Sequence, residues 1–184
     1  MTRDECREFI VEHCIEHSRP GRPILSPGGR QQSWQLFLRR ALYDAYFSLA
    51  VGQAICDELD LRFGAAEYQL AGLETGAVPL LITIAQESLR RGFPRTIFSV
   101  RKEPKAYGIF NRMEGRPRRG VPVVMIDDFV HLGRSLYRCE AALKAEGFTV
   151  AADAYCVVAD KAAAAAKDLS VHPIFTLEEI GLRG

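Results

Sequence analysis

From about residue 71 the chain repeats one pattern, an apolar strand-like run followed by a helix-like run, and this alternation limits the possible folds more than any other feature. AGLETGAVPLLITIAQESLRRG reads as a glycine turn feeding a helix, TIFSVRK as a strand and GVPVVMIDD as a strand. SLYRCEAALKAEG then reads as a helix, TVAADAYCVVAD as a strand and KAAAAAKDL as a short helix. Strands and helices taking turns at this spacing predict an α/β fold, a central and mostly parallel sheet of about five strands flanked by helices. In such sheets ligands lie beyond the carboxyl ends of the strands.

The first seventy residues are less regular. Arg3 to His17 carries apolar residues near helical spacing and predicts an amphipathic helix. SRPGRPILSPGGRQQ is a turn-rich excursion with a short extended piece at Ile24 and Leu25. Leu42 to Asp60 predicts a second helix, and Glu67 to Ala71 a strand. Neither an internal repeat nor a long linker divides the 184 residues, so one domain is expected. The 24 Lys and Arg nearly cancel the 23 Asp and Glu, and at 48% apolar and 26% charged the composition is that of a soluble globular protein. The longest apolar runs, Val78 to Ala85 and Val121 to Ile126, fall far short of the roughly 18 residues of a membrane span. MTRDECREF does not fit a secretory signal, so a cytoplasmic setting is expected, with no membrane partner. Five cysteines without a CxxC pair read as reduced thiols, and no histidine stands at zinc-finger spacing.

Chemistry concentrates in VPVVMIDDFVHLGRSL, Val121 to Leu136: an apolar strand ending in Asp127 and Asp128, a short loop with Gly133, then a helix. Such a loop aims backbone N–H groups and a helix N-terminus at a phosphate, with the Ser135 hydroxyl beside them. The two carboxylates suit the hydroxyls of a sugar or a hydrated divalent cation, and acids plus anion cradle suggest a sugar phosphate. The alternative is a surface strand end before a capped helix, with both acids merely solvated. Arg101 to Arg119 holds seven Lys and Arg against two Glu, a local charge of +5 in a chain whose total is +1. That segment is either a solvated basic hairpin or the place where phosphates arrive; no nucleic-acid partner is expected.

Taken together, these segments resemble the type I phosphoribosyltransferases, and in particular the orotate phosphoribosyltransferases. The strand, acid pair and loop at 121–136 resemble that family's phosphoribosyl-pyrophosphate (PRPP) signature. RKEPKAYG, Arg101 to Gly108, is similar to its basic mobile loop, and MEGRPRRGVPVVMIDD keeps the spacing from that loop to the signature strand. AGLETGAVPLL is similar to the glycine loop that receives pyrophosphate, and LSPGGRQQSWQLFLRRAL to the amino-terminal segment. The resemblance covers nearly the whole chain, in order.

It implies transfer of a phosphoribosyl group from PRPP to a pyrimidine base, orotate first, with Mg²⁺, releasing pyrophosphate. It further implies a small hood, about residues 1–40, over the base. Asp127 and Asp128 are then expected to hold the ribose hydroxyls and, through water, the metal. His131, Leu132, Gly133, Arg134 and Ser135 would wrap the 5′-phosphate, and Leu73, Glu74, Thr75 and Gly76 would face pyrophosphate. Lys105, with Arg101 and Lys102, is the expected catalytic cation set, its loop shared across a homodimer. Lys161 and Arg30 would read the base. Three departures stand out. His131 and Arg134 occupy positions where the family usually has Thr and a small residue, Lys161 stands where it has an Arg, and Pro27-Gly28-Gly29-Arg30 replaces Ser-Gly-Arg. They keep open a divergent phosphoribosyltransferase for another base, or a non-catalytic PRPP-binding regulator.

Overall fold

A computed structural model describes residues 1–25, 29–103, 112–160, 162 and 169–183. The expected sites Lys105 and Lys161, and nearly all of the helix expected at 161–169, lie outside the described residues.

Helix α1 (Arg3–His13) begins in a capping box, in which Thr2 Oγ1 accepts from the Glu5 N–H at 3.2 Å and Glu5 Oε2 accepts from the Thr2 N–H at 2.7 Å. It stops four residues short of the expected end. The Cys14 carbonyl accepts from Phe37 N–H at 2.7 Å, and the chain leaves the helix as strand β1 (Ile15–His17). The excursion that follows holds β2 (Ile24–Leu25), β3 (Gln31–Gln32) and β4 (Trp34–Leu36), paired antiparallel as β1 with β4 and β2 with β3. A short α2 (Arg39–Leu42) leads to α3 (Ala45–Phe63), whose Asp44 cap accepts from Phe47 N–H at 2.9 Å.

The α/β portion follows as β5 (Gln69–Leu73), α4 (Ala77–Arg90), β6 (Ile97–Val100), β7 (Met113–Gly115), β8 (Val123–Val130), α5 (Arg134–Ala145), β9 (Val150–Ala159) and β10 (Ser170–Thr176). Together they make one sheet in the order β10-β9-β8-β5-β6-β7. Five strands are parallel, as expected, and β7 adds an antiparallel edge on β6 that three residues are too few to announce in sequence. Strand β8 also differs from expectation, because the acids do not end it: pairing with β9 continues through Phe129 and Val130.

Alternate residues of the central strands feed two separate cores. Leu70, Val124, Ile126, Tyr155 and Phe175 pack under α1, α3 and α4. Ala71, Val123, Met125, Ala154 and Cys156 pack with Leu136, Cys139 and Leu143 of α5. Burying each side chain the size of Val124 or Ile126 is worth about 1.5–3 kcal/mol, and coverage on both faces explains why the central strands read as continuous apolar runs.

Helices α3 and α4 are joined by a charge network. Buried Glu87 accepts from Arg90 Nε at 2.8 Å and Arg91 Nε at 2.7 Å, while Arg91 reaches Asp57 at 2.8 Å and Asp60 at 3.0 Å. The Arg90 guanidinium first, then Arg91, hold the Glu87 carboxyl at about 2 against the upward push of burial. A carboxyl lowered from 4.5 stabilises the fold above pH 4.5, and that contribution drains away as pH falls toward 2. Glu87→Gln is therefore expected to lower the unfolding midpoint at pH 7 and to flatten its decline between pH 4.5 and 2. Thermal melts across that window check this, and parallel wild-type and variant profiles would contradict it.

Candidate functional site

The side chains at 127 and 128 separate because a strand sends neighbours to opposite faces. Asp127 continues the Val123–Met125 row toward α5. It is 4% exposed, its Oδ2 accepts from the Ser135 hydroxyl, and its Oδ1 accepts from the Asp128 N–H at 2.9 Å. Burial first, and the Asp128 charge second, push its carboxyl well above the ordinary carboxylate range. Asp128 continues the Val124–Ile126 row and sits against the loop between β5 and α4. A Cβ placed on Gly76 would meet Asp128 Oδ1 at 2.6 Å and Cγ at 2.8 Å.

That second loop, residues 74–76, is held from both ends. Glu74 N–H donates to the Val100 carbonyl at 2.9 Å, and the Glu74–Thr75 peptide is cis. Gly72 is pressed between Ala77 and the Ile126 carbonyl, leaving no room for a side chain. No side chain caps α4 at Gly76; Pro79 in its first turn has no N–H and the Val78 N–H donates to the Thr75 carbonyl at 3.3 Å, so few amides at this start are left for a ligand.

The turn after β8 repeats the arrangement. Gly133 takes φ 66° as the N-cap of α5, a conformation that L side chains rarely adopt, and no side chain caps that helix either. The α4 start lies against Asp128 and the α5 start is bonded to Asp127 through Ser135, so two helix ends of the kind that favour anions flank the acid pair. Ser135, expected at a phosphate, gives its hydroxyl to Asp127 in the structure. Arg134 and Leu132 are exposed. His131 lies on Phe129, with ring centroids 5.9 Å apart and planes 11° apart, and its Nε2 is 3.7 Å from Asp160 Oδ2.

The excursion between α1 and α2 reaches this end of the sheet. Trp34 of β4 comes within 6.4 Å of the Phe129 ring and 5.8 Å of the His131 ring, centroid to centroid. Between it and the sheet opens a cavity of about 460 Å³ lined by Leu36, Phe37, Arg39, Tyr43, Asp128 and Phe129, within the size range of small-molecule sites. Arg30 is exposed outside that lining. A cavity of about 410 Å³ between α1, α3 and β10 is lined largely by aliphatic side chains. It holds Glu58 and the capped start of α1 but neither Asp128 nor the 74–76 loop.

At the other flank, Arg101 Nη1 lies 3.2 Å from Glu114 and 4.0 Å from Glu74, while the Lys102 N–H donates to Glu74 Oε1 at 3.3 Å. The structure thus brings together Asp128, Leu73 to Gly76, Arg101 and Lys102, while the 131–135 turn meets the acid pair through Ser135 and Asp127. Sequence reasoning missed Trp34, Phe129, Arg39 and Asp160. Arg39 and Asp160 carried a signal, since they stand in the Leu-Arg stretch and directly before Lys161. Among the described residues no three His, Cys, Asp or Glu cluster to hold a metal by themselves.

No family model matches the chain. It is 30% identical to the orotate phosphoribosyltransferase of Streptomyces coelicolor over 168 residues, 91% of this chain and 87% of the relative. Against the orotate phosphoribosyltransferase of Corynebacterium glutamicum it is 30% identical over 188 residues, 98% of this chain and 94% of the relative. Its fold is similar to that of Mycobacterium tuberculosis orotate phosphoribosyltransferase in complex with Fe(III) dicitrate, with a TM-score of 0.78 and 26% identity over 98% of this chain and 99% of that one. The same enzyme in complex with PRPP gives a TM-score of 0.75 at 24% identity over 98% of this chain and 99% of that one, a likeness of fold.

Proposed function

The chain belongs to the orotate phosphoribosyltransferases, and from that membership we propose that it moves the phosphoribosyl group of PRPP onto orotate, releasing pyrophosphate and forming orotidine 5′-phosphate. One observation carries the reading at the level of the site: the acid pair lies between two helix starts, Asp128 against Gly76 at the start of α4 and Asp127 bonded to Ser135 at the start of α5. A ribose carrying an anion at each end needs that order of groups.

In this reading Asp128 meets the ribose hydroxyls, and Asp127, buried and bonded to Ser135, braces the strand beneath it. The N–H groups of 131–135 take the 5′-phosphate and the 73–76 loop faces the pyrophosphate, with the amides of Thr75 and Gly76 rather than that of Glu74, which is given to Val100. Arg101 and Lys102, at the edge of the pyrophosphate loop, together with Lys105, supply positive charge to the departing group. Negative charge collects there as the glycosidic bond breaks, so fixed cations lower the barrier. Lys161 and Arg30 are assigned to the base, under the hood formed by about residues 1–40 of a single domain.

Mg²⁺ fits this site in a limited way. It is a hard cation often held by one or two carboxylates plus substrate oxygens and water. Asp128 is the one of the pair open enough to serve, since Asp127 is buried and both of its oxygens already accept hydrogen bonds, from Ser135 and the Asp128 N–H. When bound, the ion supplies charge neutralisation at the pyrophosphate oxygens.

We include in the proposal a homodimer that shares the Lys105 segment. It is supported by the apolar surface that Tyr43, Tyr46, Leu49 and Ile82 expose on α3, α4 and the turn before α3. A cytoplasmic setting is supported by five buried cysteines that remain free thiols. Among the described residues no helix is long and apolar enough to cross a membrane.

Loss of orotate absorbance in the presence of PRPP and Mg²⁺ tests the reaction; absorbance that persists with folded protein would refute it. Asp128→Asn is expected to weaken PRPP binding about 10-fold or more, the worth of a charged hydrogen bond, while the fold stays intact. Calorimetric titration with PRPP measures this, and unchanged affinity would remove Asp128 from the ribose.

A further inference from the structure

Glu74 is a puzzle within the site. It carries a negative charge on the very loop assigned to pyrophosphate, where it would repel the ligand. Its surroundings supply the answer. Glu74 Oε1 accepts from the Lys102 N–H at 3.3 Å, and Oε2 lies 4.0 Å from Arg101 Nη1. Arg112 Nη2 donates to the Lys102 carbonyl at 2.9 Å, holding the same stretch of backbone from its other side. Among the described residues, the Nε atoms of Arg101 and Arg112 are buried without a hydrogen-bond partner, leaving two donors unmatched. Among the described residues, the acids within 4.0 Å of Arg101 are Glu74 and Glu114. With Glu74 N–H fixed to Val100 at 2.9 Å, the carboxylate is carried by the end of β5 and the donors by the end of β6.

We propose that Glu74 is a built-in stand-in for pyrophosphate, a positioning residue whose carboxylate holds the Lys102 amide and faces Arg101 until the ligand displaces it. This deepens the function proposed above and rests on its pyrophosphate assignment. The arrangement keeps the start of the basic segment docked beside the loop while the site is empty. It also sets a ceiling on product affinity, because pyrophosphate must compete with a tethered anion and, once bound, lies next to it. Both features favour release of the product over retention.

The test is Glu74→Gln, which keeps an oxygen for the Lys102 N–H and removes the charge. Titration with pyrophosphate and Mg²⁺ is expected to give about ten-fold tighter binding than wild type, equivalent to about 1.4 kcal/mol. The KM for PRPP should fall in step, while the KM for orotate and the affinity for ribose 5-phosphate stay unchanged. A merely structural tie would leave pyrophosphate affinity unchanged or weakened, and a water-mediated role at the metal would weaken it; either result overturns the proposal. Folded wild-type protein that takes up no pyrophosphate at all would overturn the underlying assignment as well, whereas wild-type binding without gain in the variant defeats the stand-in alone.

Discussion

Lys105→Ala is expected to lower turnover about 10²-fold or more, a larger loss of activity than any other single substitution considered for this chain. Breaking the bond to pyrophosphate places new negative charge on the leaving oxygens, and a positioned donor aimed at developing charge is worth about 10²–10³ in rate. The sequence RKEPKAYG supplies three cations within five residues, but their positions differ in kind. The Arg101 guanidinium faces Glu74 and Glu114 at the end of β6, and Lys102 gives its backbone N–H to Glu74; Lys105, three residues further on, is the cation we propose meets the transition state. Initial rates at saturating PRPP and orotate read the effect. A loss confined to KM, or none, would transfer the role to the cations nearer the strand.

Gly72→Ala is expected to have the largest effect on stability, about 3 kcal/mol or more, the upper end of the cost of overpacking a tight core. The added methyl would enter the space held by Ala77 and the carbonyl of Ile126. Neither neighbour is the far end of a flexible side chain; one begins α4 and the other is β8 backbone. Relief requires moving the helix off the sheet at the place where the 74–76 loop and Asp128 meet. Since a domain has only about 5–15 kcal/mol of net stability, the denaturant midpoint should fall markedly. A midpoint within the range of a surface substitution would show that α4 can shift at little cost.

The α/β core was legible because its strands and helices differ in period and the turns between them carry glycines at 76 and 133. Adjacent acids at 127 and 128 marked the site but not their different surroundings. Both faces of β8 are apolar, so the pattern does not reveal which face lies under α5, and only the fold separates a buried Asp127 from an open Asp128. Strands β1 to β4 have two or three residues each, too few for a period, and α1 therefore read as running on to His17. Contacts such as Trp34 with Phe129 and His131 join residues almost a hundred positions apart, and no local pattern encodes them. Glu74 was visible as a charge in a glycine loop, yet its meaning depended on Lys102 and Arg101 arriving from the neighbouring strand.

The chain contains one tryptophan, and the fold wedges it between the β1–β4 excursion and the turn that follows β8. The indole's emission thus originates where the amino-terminal excursion meets the sheet. Nature has in effect installed an optical gauge there, one that reports on that contact in unlabelled protein, in real time and against no background from a second fluorophore of its kind.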